Sequence, residues 1–320
     1  MDYSKVFETM IQDTQKYLED HNLFAMILGI SGGIDSTVTA AICHEVEKRN
    51  PDIKFIGISL PCTSNSSNEN NSANCCMKAF CKKEQYWTEN LQKEYMLMRA
   101  TCSQRHSMTT IGAGNIKARL RMMVLYNEAN YFFGLVMDTD NLTEHYLGFF
   151  TIHGDVADFN PIGGLWKHEV YELANYIANK YKEEAENLAN KVNDKNLSNS
   201  DVKTLIDERI KVLNKYLALK QALDITPTDG NGVKAGGDMA QIAPAFINDI
   251  NVEAYKKVDD IIQTYIEYRG HRPEEYQIAM EELYNKYDKE TVDGVINRIN
   301  KTEYKRKRLP LVIERNKYDN

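Results

Sequence analysis

The sequence predicts an α/β fold: a doubly wound, mostly parallel sheet with helices on both faces and a helical insertion. Three observations carry this. Apolar runs of strand length stand at residues 24–30, 55–60 and 132–137. Stretches with helical apolar spacing, among them 2–18 and 114–132, alternate with them. A Gly/Ser-rich turn follows the first run directly. Strands that alternate with helices of this length require crossover connections, which place parallel strands side by side and helices over the sheet.

In chain order, the helix at 2–18 leads to the strand at 24–30, which ends in Gly and Ser. The strand at 55–60 stops at Pro61. The polar stretch TSNSSNENNSAN, 63–74, lacks periodicity and apolar anchors and reads as a mobile loop. A helical segment at 73–81 and a strand near Tyr86 precede the long helix at 114–132 and the buried strand at 132–137. Composition shifts to Lys, Glu, Asn and Leu at about 180–222, which suggests an inserted helical element without chemistry of its own. No internal repeat or proline-rich linker interrupts the chain, so one domain over 1–320 is expected.

Bulk properties exclude several classes. A net charge of −7 over 320 residues argues against broad contact with nucleic acid. No apolar run approaches the length of a membrane span, and the N-terminus is acidic and amphipathic, so a cytoplasmic protein is expected. The six cysteines form no CxxC pair and have no His at zinc spacing, which fits free thiols in a reducing compartment.

The segment LGISGGIDSTVTAA, 28–41, is where chemistry concentrates. Glycines at a strand-to-helix turn let backbone approach a ligand, and the first amides of the helix favour an anion. The hydroxyls of Ser31 and Ser36 suit phosphate oxygens. Asp35 does not, which suggests a divalent cation between it and a phosphate. A Walker-type loop is excluded, since no GK[ST] occurs in the chain. Gly29 to Gly33 also fits the G-x-S-x-G elbow of serine hydrolases, with Ser31 as nucleophile, but that reading leaves Asp35 and Ser36 without a role. A helix start that is merely rich in Gly and Ser is the remaining alternative.

The intact SGGIDS at 31–36 resembles the signature of PP-loop ATP pyrophosphatases. Further segments resemble NAD synthetase in the right order: GNIKAR at 114–119, TDNLTEHYLGFFTIHGDVADFNPIGGLWKHEV at 139–170, PTDG at 227–230 and TEYKR at 302–306. The resemblance implies an adenine-nucleotide-α-hydrolase-like fold. It also implies a ligase that adenylates nicotinic acid adenine dinucleotide with ATP and transfers it to ammonia. ATP would be held by Gly29, Ile30, Ser31, Gly32, Gly33, Ile34, Asp35, Ser36, Thr139, Lys167 and Thr228. Mg²⁺ would be held by Asp35 and Glu144, with Asp35 and Lys167 as catalytic residues. Arg119, Asp158, Tyr304 and Lys305 would contact the dinucleotide, the last two from a substrate-closing tail at about 301–320.

Fusion members of the family carry an N-terminal glutaminase domain, for which there is no room before Ser31, so the resemblance is to the ammonia-dependent branch. It further implies a homodimer with substrate sites near the interface. The chain departs from the family pattern at Ile152, where many members have Lys, and at Tyr304, which replaces a His. Asp138 replaces a Gly. GDVAD is one residue shorter than the usual GDGGAD, so the choice of Asp158 over Asp155 depends on gap placement.

Overall fold

The computed structural model describes residues 1–62, 67–193, 197–225, 239, 242–243 and 251–307. Helix α1 (Tyr3–Asp20) begins where the Asp2 side chain accepts from the amides of Ser4 and Lys5, and it buries Phe7, Ile11, Thr14 and Leu18 along one stripe. The chain then enters β1 (Ala25–Gly29), α2 (Ile34–Arg49) and β2 (Lys54–Ser59). These are followed by α3 (Ser67–Phe80), β3 (Tyr86–Thr88), α4 (Gln92–Cys102), α5 (Thr110–Tyr131) and β4 (Leu135–Val136). Among the described residues only helices follow: α6 (Leu142–Leu147), α7 (Lys167–Val192), α8 (Asn199–Asp224), α9 (Val252–Tyr268), α10 (Pro273–Lys286) and α11 (Lys289–Lys301).

The sheet is parallel throughout, in the order β3-β2-β1-β4. Central β1 pairs Ile27 with Ile56 on one side and with Val136 on the other. Alternation along the strands feeds two apolar layers. Met26, Leu28 and Phe55 pack beneath α1, α2, α3 and α7, whereas Ala25, Ile27, Ile56 and Val136 meet Leu125 and Ala129 of α5. Both faces are therefore covered, as the near-continuous apolar strands predict. Each fully buried Ile, Leu or Phe contributes about 1.5–3 kcal/mol, so these layers dominate the stability of the fold.

One expectation is corrected. Residues 67–74, read from sequence as part of a loop, form the first turns of α3. The buried face Ser72, Ala73, Cys76, Met77 and Phe80 has helical spacing and docks against the sheet and α8, so tertiary packing extends the helix into Asn-rich sequence of weak propensity. Residues 63–66 lie outside the described ones.

Residues 180–222 comprise the second half of α7 and nearly all of α8, which pack together along their length. Tyr181, Ala185, Val212, Leu219 and Ala222 from this pair enter the main core. Among the described residues no disulfide joins any of the six cysteines; Cys43, Cys62 and Cys76 are buried and Cys75 and Cys102 exposed. No described helix is long and apolar enough to cross a membrane.

Candidate functional site

The strand order reverses between β1 and β4, and α/β sheets bind ligands in the crevice at such a switch point, outside the carboxyl ends of the strands. β1 leaves the sheet through residues 30–33 into α2, and β4 leaves through 137–141 into α6. A cavity of about 360 Å³ opens between these loops.

Gly32 adopts φ +88°, and a Cβ there would stand 2.6 Å from the Glu69 carbonyl oxygen and 2.7 Å from the Ala73 nitrogen. Only glycine allows α3 to close against the loop, where the Ser72 hydroxyl donates to the Gly32 carbonyl at 2.7 Å. The Ser31 hydroxyl accepts from the Gly33 amide at 3.2 Å and pairs with Ser36 Oγ at 3.1 Å. Ser36 and Thr37 return their hydroxyls to the Gly33 carbonyl at 3.1 and 2.9 Å. Gly33 is the N-cap of α2 and supplies no side-chain acceptor, so the dipole and first amides of this helix favour an anion at the cavity wall.

Opposite the loop, three charged side chains from three helices converge. Lys167, the first residue of α7, places Nζ 2.5 Å from Asp35 Oδ2 and 3.0 Å from Glu144 Oε1. Asp35 lies in the first turn of α2 and Glu144 in the first turn of α6. Asn141 links them: its Nδ2 donates to Asp35 Oδ1 at 3.0 Å, while its Oδ1 caps α6 by accepting from the Glu144 amide at 3.1 Å. Glu144 Oε2 accepts from the Asn141 amide in return, completing a capping box that fixes the carboxylate.

The charge balance is strongly acidic. Removal from water pushes the Glu144 carboxyl up to about 7; Asp35 adds to this and Lys167 opposes it. Burial, reinforced by Asp138 and Glu144, holds Asp140 well above the usual carboxylate range, and burial also raises Asp138. Burial works against the Lys167 ammonium as well, yet Asp35 and Glu144 outweigh it and keep this group charged well beyond its ordinary range.

Of the residues expected at ATP, Gly29, Ile30, Ser31, Gly33, Ile34, Asp35, Thr139 and Lys167 line the cavity together with Glu144. Gly32, in the loop, and Ser36, in the first turn of α2, do not line it. Thr228 lies outside the described residues, although Ile225 and Met239, to either side of it in sequence, reach the cavity.

The residues expected at the dinucleotide lie elsewhere. Arg119 is exposed and donates to the Ile152 carbonyl at 3.2 Å. Asp158 accepts from the Tyr126 hydroxyl and from the Val136 amide, both at 2.9 Å, at the sheet edge. Tyr304 is exposed, and Lys305 Nζ donates to the carbonyls of Gly148 and Phe150 at 2.8 and 2.5 Å. Residues 308–320 of the expected tail lie outside the described ones.

Sequence reasoning missed several cavity residues. Arg121, one helical turn from Lys117 and easily taken for a surface arginine, lines the cavity and donates from Nε to the Leu60 carbonyl at 3.0 Å. Asp155 lines it where Asp158 does not. Asn141 carried a legible signal, an N-cap residue three before a Glu. Tyr255, from α9, carried none, because a lone aromatic on a helix reads as core.

The family description "NAD synthase" matches residues 6–228. The NH(3)-dependent NAD(+) synthetase of Campylobacter jejuni subsp. doylei is 33 % identical over 184 residues, covering 55 % of this chain and 69 % of that protein. The protein of the same name from Methanocaldococcus jannaschii is 34 % identical over 190 residues, covering 55 % and 68 %.

Two solved structures share the fold. NMN synthetase from Francisella tularensis superposes with a TM-score of 0.68 at 20 % identity over 99 % of each chain. NH3-dependent NAD synthetase from Campylobacter jejuni subsp. jejuni superposes with a TM-score of 0.62 at 23 % identity, over 98 % of this chain and 100 % of the other. The family match runs over more than half of the chain, and relatives one third identical are spanned for over two thirds of their length. The chain belongs to the NAD synthase family.

Proposed function

We propose that this protein is an ammonia-dependent NAD synthetase, an ATP-consuming ligase that converts the carboxylate of nicotinic acid adenine dinucleotide to its amide. The observation that carries the reading is the seating of Lys167 between Asp35 and Glu144, facing a glycine loop at the head of α2. ATP enters the cavity with its phosphates against Ser31, Gly33 and the first amides of α2. A carboxylate oxygen of the substrate attacks the α-phosphorus, the bond to the bridging oxygen of the β-phosphate breaks, and pyrophosphate leaves. Ammonia then attacks the carbonyl carbon of the acyl-adenylate, a proton is lost, and AMP departs.

Lys167 serves as a fixed positive charge for the departing pyrophosphate. The loop amides and hydroxyls, held in place before substrate arrives, need little reorganisation. Asp35 and Glu144 fit Mg²⁺: both are hard oxygen donors, they sit in an acidic cluster that a single ammonium does not balance, and phosphates and waters would complete the shell. When bound, the ion supplies charge neutralisation at the phosphates.

A homodimer and a cytoplasmic location belong to the same reading. Met96, Leu97 and Met98 of α4 and Met123, Tyr126 and Tyr131 of α5, with Phe133 just beyond it, are exposed side chains of the types that two copies bury. Tyr126 holds Asp158, so the expected dinucleotide residue touches one of them.

A mononucleotide acid is the second reading, favoured by Ile152 and Tyr304 in place of expected dinucleotide contacts. The test is an assay with ATP, Mg²⁺, ammonium and either nicotinic acid adenine dinucleotide or nicotinic acid mononucleotide, following AMP, pyrophosphate and amide by chromatography. One AMP and one pyrophosphate per NAD are expected. Turnover of the mononucleotide alone would transfer the function to the second reading, and ATP left intact with both acids would overturn both.

A further inference from the structure

Helix α7 begins at Lys167, and the first amides of a helix have no partner within it. Most neighbouring helices solve this locally: Asn141, Ser198 and Asn251 cap α6, α8 and α9 with their own side chains. The residue before Lys167 is Trp166, which has no acceptor to offer.

The acceptors come from two other helices. The Lys167 amide donates to Thr143 Oγ1 of α6 at 2.8 Å, and the His168 amide to Asp259 Oδ2 of α9 at 3.2 Å. The Thr143 hydroxyl donates onward to Asp259 Oδ1, and His168 Nδ1 lies 2.7 Å from Asp259 Oδ2. Asp259 is completely buried, and Thr143 nearly so. A carboxylate at this place is stabilised by the three donors and by the positive end of the α7 dipole. One turn before Asp259, Tyr255 lays its ring 5.8 Å from Lys167 Nζ and lines the cavity. Helix α9 lies entirely beyond residue 228, where the family match ends.

We propose that Asp259 is a positioning residue for Lys167. Acting through Thr143 and His168, it caps α7 from α9 and fixes the height and rotation of the first turn, which determines where the ammonium meets Asp35 and Glu144. The turnover arm of the test rests on the proposed ligase function; the geometric arm does not.

Because a fully buried aspartate is a risky position to mutate, Thr143→Val, which removes the bridging hydroxyl and keeps the shape, is the primary variant. Thr143→Ser restores the hydroxyl, and Asp259→Asn keeps the volume. Thr143→Val and Asp259→Asn are each expected to lower kcat for pyrophosphate release ~10- to 100-fold, the size of a lost hydrogen bond to a charged group. The KM for ATP should change by less than ~3-fold, and Thr143→Ser should stay within ~3-fold of the wild type. The double variant should be no worse than the poorer single one, since both interrupt one path.

In crystals of Thr143→Val, Lys167 Nζ should stand beyond ~4 Å from Asp35, outside ion-pair range. Wild-type kcat in Thr143→Val, or Nζ still seated on Asp35, would overturn the assignment. So would a Thr143→Ser enzyme as impaired as Thr143→Val. A wild-type protein that forms no amide would refute the ligase function instead, and the Lys167 to Asp35 separation in the variant crystal would still decide this inference.

Discussion

Glu144→Gln should make the metal-free protein more stable at pH 8 while impairing it as a ligase. The Glu144 carboxyl is pushed from its ordinary 4.5 to about 7 in the folded chain, chiefly by burial. At 1.36 kcal/mol per pKa unit this corresponds to about 3 kcal/mol. The side chain retains 27 % of its exposure, which allows solvent to screen part of this, so about 2 kcal/mol is the working figure.

The sign follows from linkage. The folded-state value lies above the unfolded one, so the native chain binds more protons between pH 4.5 and 7. The contribution of this group is fully present below pH 4.5 and is lost as pH rises through 7. Glutamine keeps the shape, can still accept from Lys167, and does not titrate. Urea unfolding of both proteins without metal, at half-unit steps from pH 4.5 to 8, should show the difference growing in favour of the variant by about 2 kcal/mol across that window. Parallel stability profiles for the two proteins would refute the claim that Glu144 is held as a strained carboxylate, and with it the case for a cation-hungry site.

Three further outcomes are expected. Gly32→Ala should destabilise the protein by about 1–3 kcal/mol in urea unfolding, since alanine at positive φ is strained and its Cβ would collide with the α3 backbone. Asn141→Ala should lose the α6 cap, about 1 kcal/mol, and should weaken ATP binding ~10-fold in calorimetric titration, because Asp35 loses its Nδ2 donor. Met123→Glu combined with Phe133→Glu should convert a dimer to a monomer by light scattering without lowering the melting temperature by more than ~3 °C, because both side chains are exposed in the single chain.

The sheet and the glycine loop were legible because each rests on local pattern. Residues 24–30 and 55–60 declare themselves by mostly apolar runs; β1 falls inside the first, and β2 begins one residue before the second. SGGIDS marks a strand-to-helix turn by itself, and the structure adds that Gly32 adopts a positive φ there. The edge strand was legible only in outline: the apolar run at 132–137 contributes just Leu135 and Val136 to the ladder.

What stayed hidden depends on contacts across long sequence separations. Ser72 makes helix of an Asn-rich stretch by reaching Gly32, and Tyr255 joins the site from α9. Asp259 would be judged an ordinary surface acid by its neighbours Lys257 and Asp260, and only the fold buries it. Arg119 and Arg121 differ by two positions, and nothing in their sequence surroundings says which one turns toward the cavity.

The continuity of α7 constrains how this protein can be shortened. At 1.5 Å per residue its 26 residues form a rod of roughly 39 Å, with Lys167 at one end and the junction with α8 at the other. Excising 180–222 as a module would saw that rod in half and remove Tyr181, Leu219 and Ala222 from the core. A smaller variant has to be trimmed from the far end, by roughly seven residues from each arm at a time, so that both helices keep their rotational phase. The reach of such trimming is short, because Ala185 on one arm and Val212 on the other are already buried.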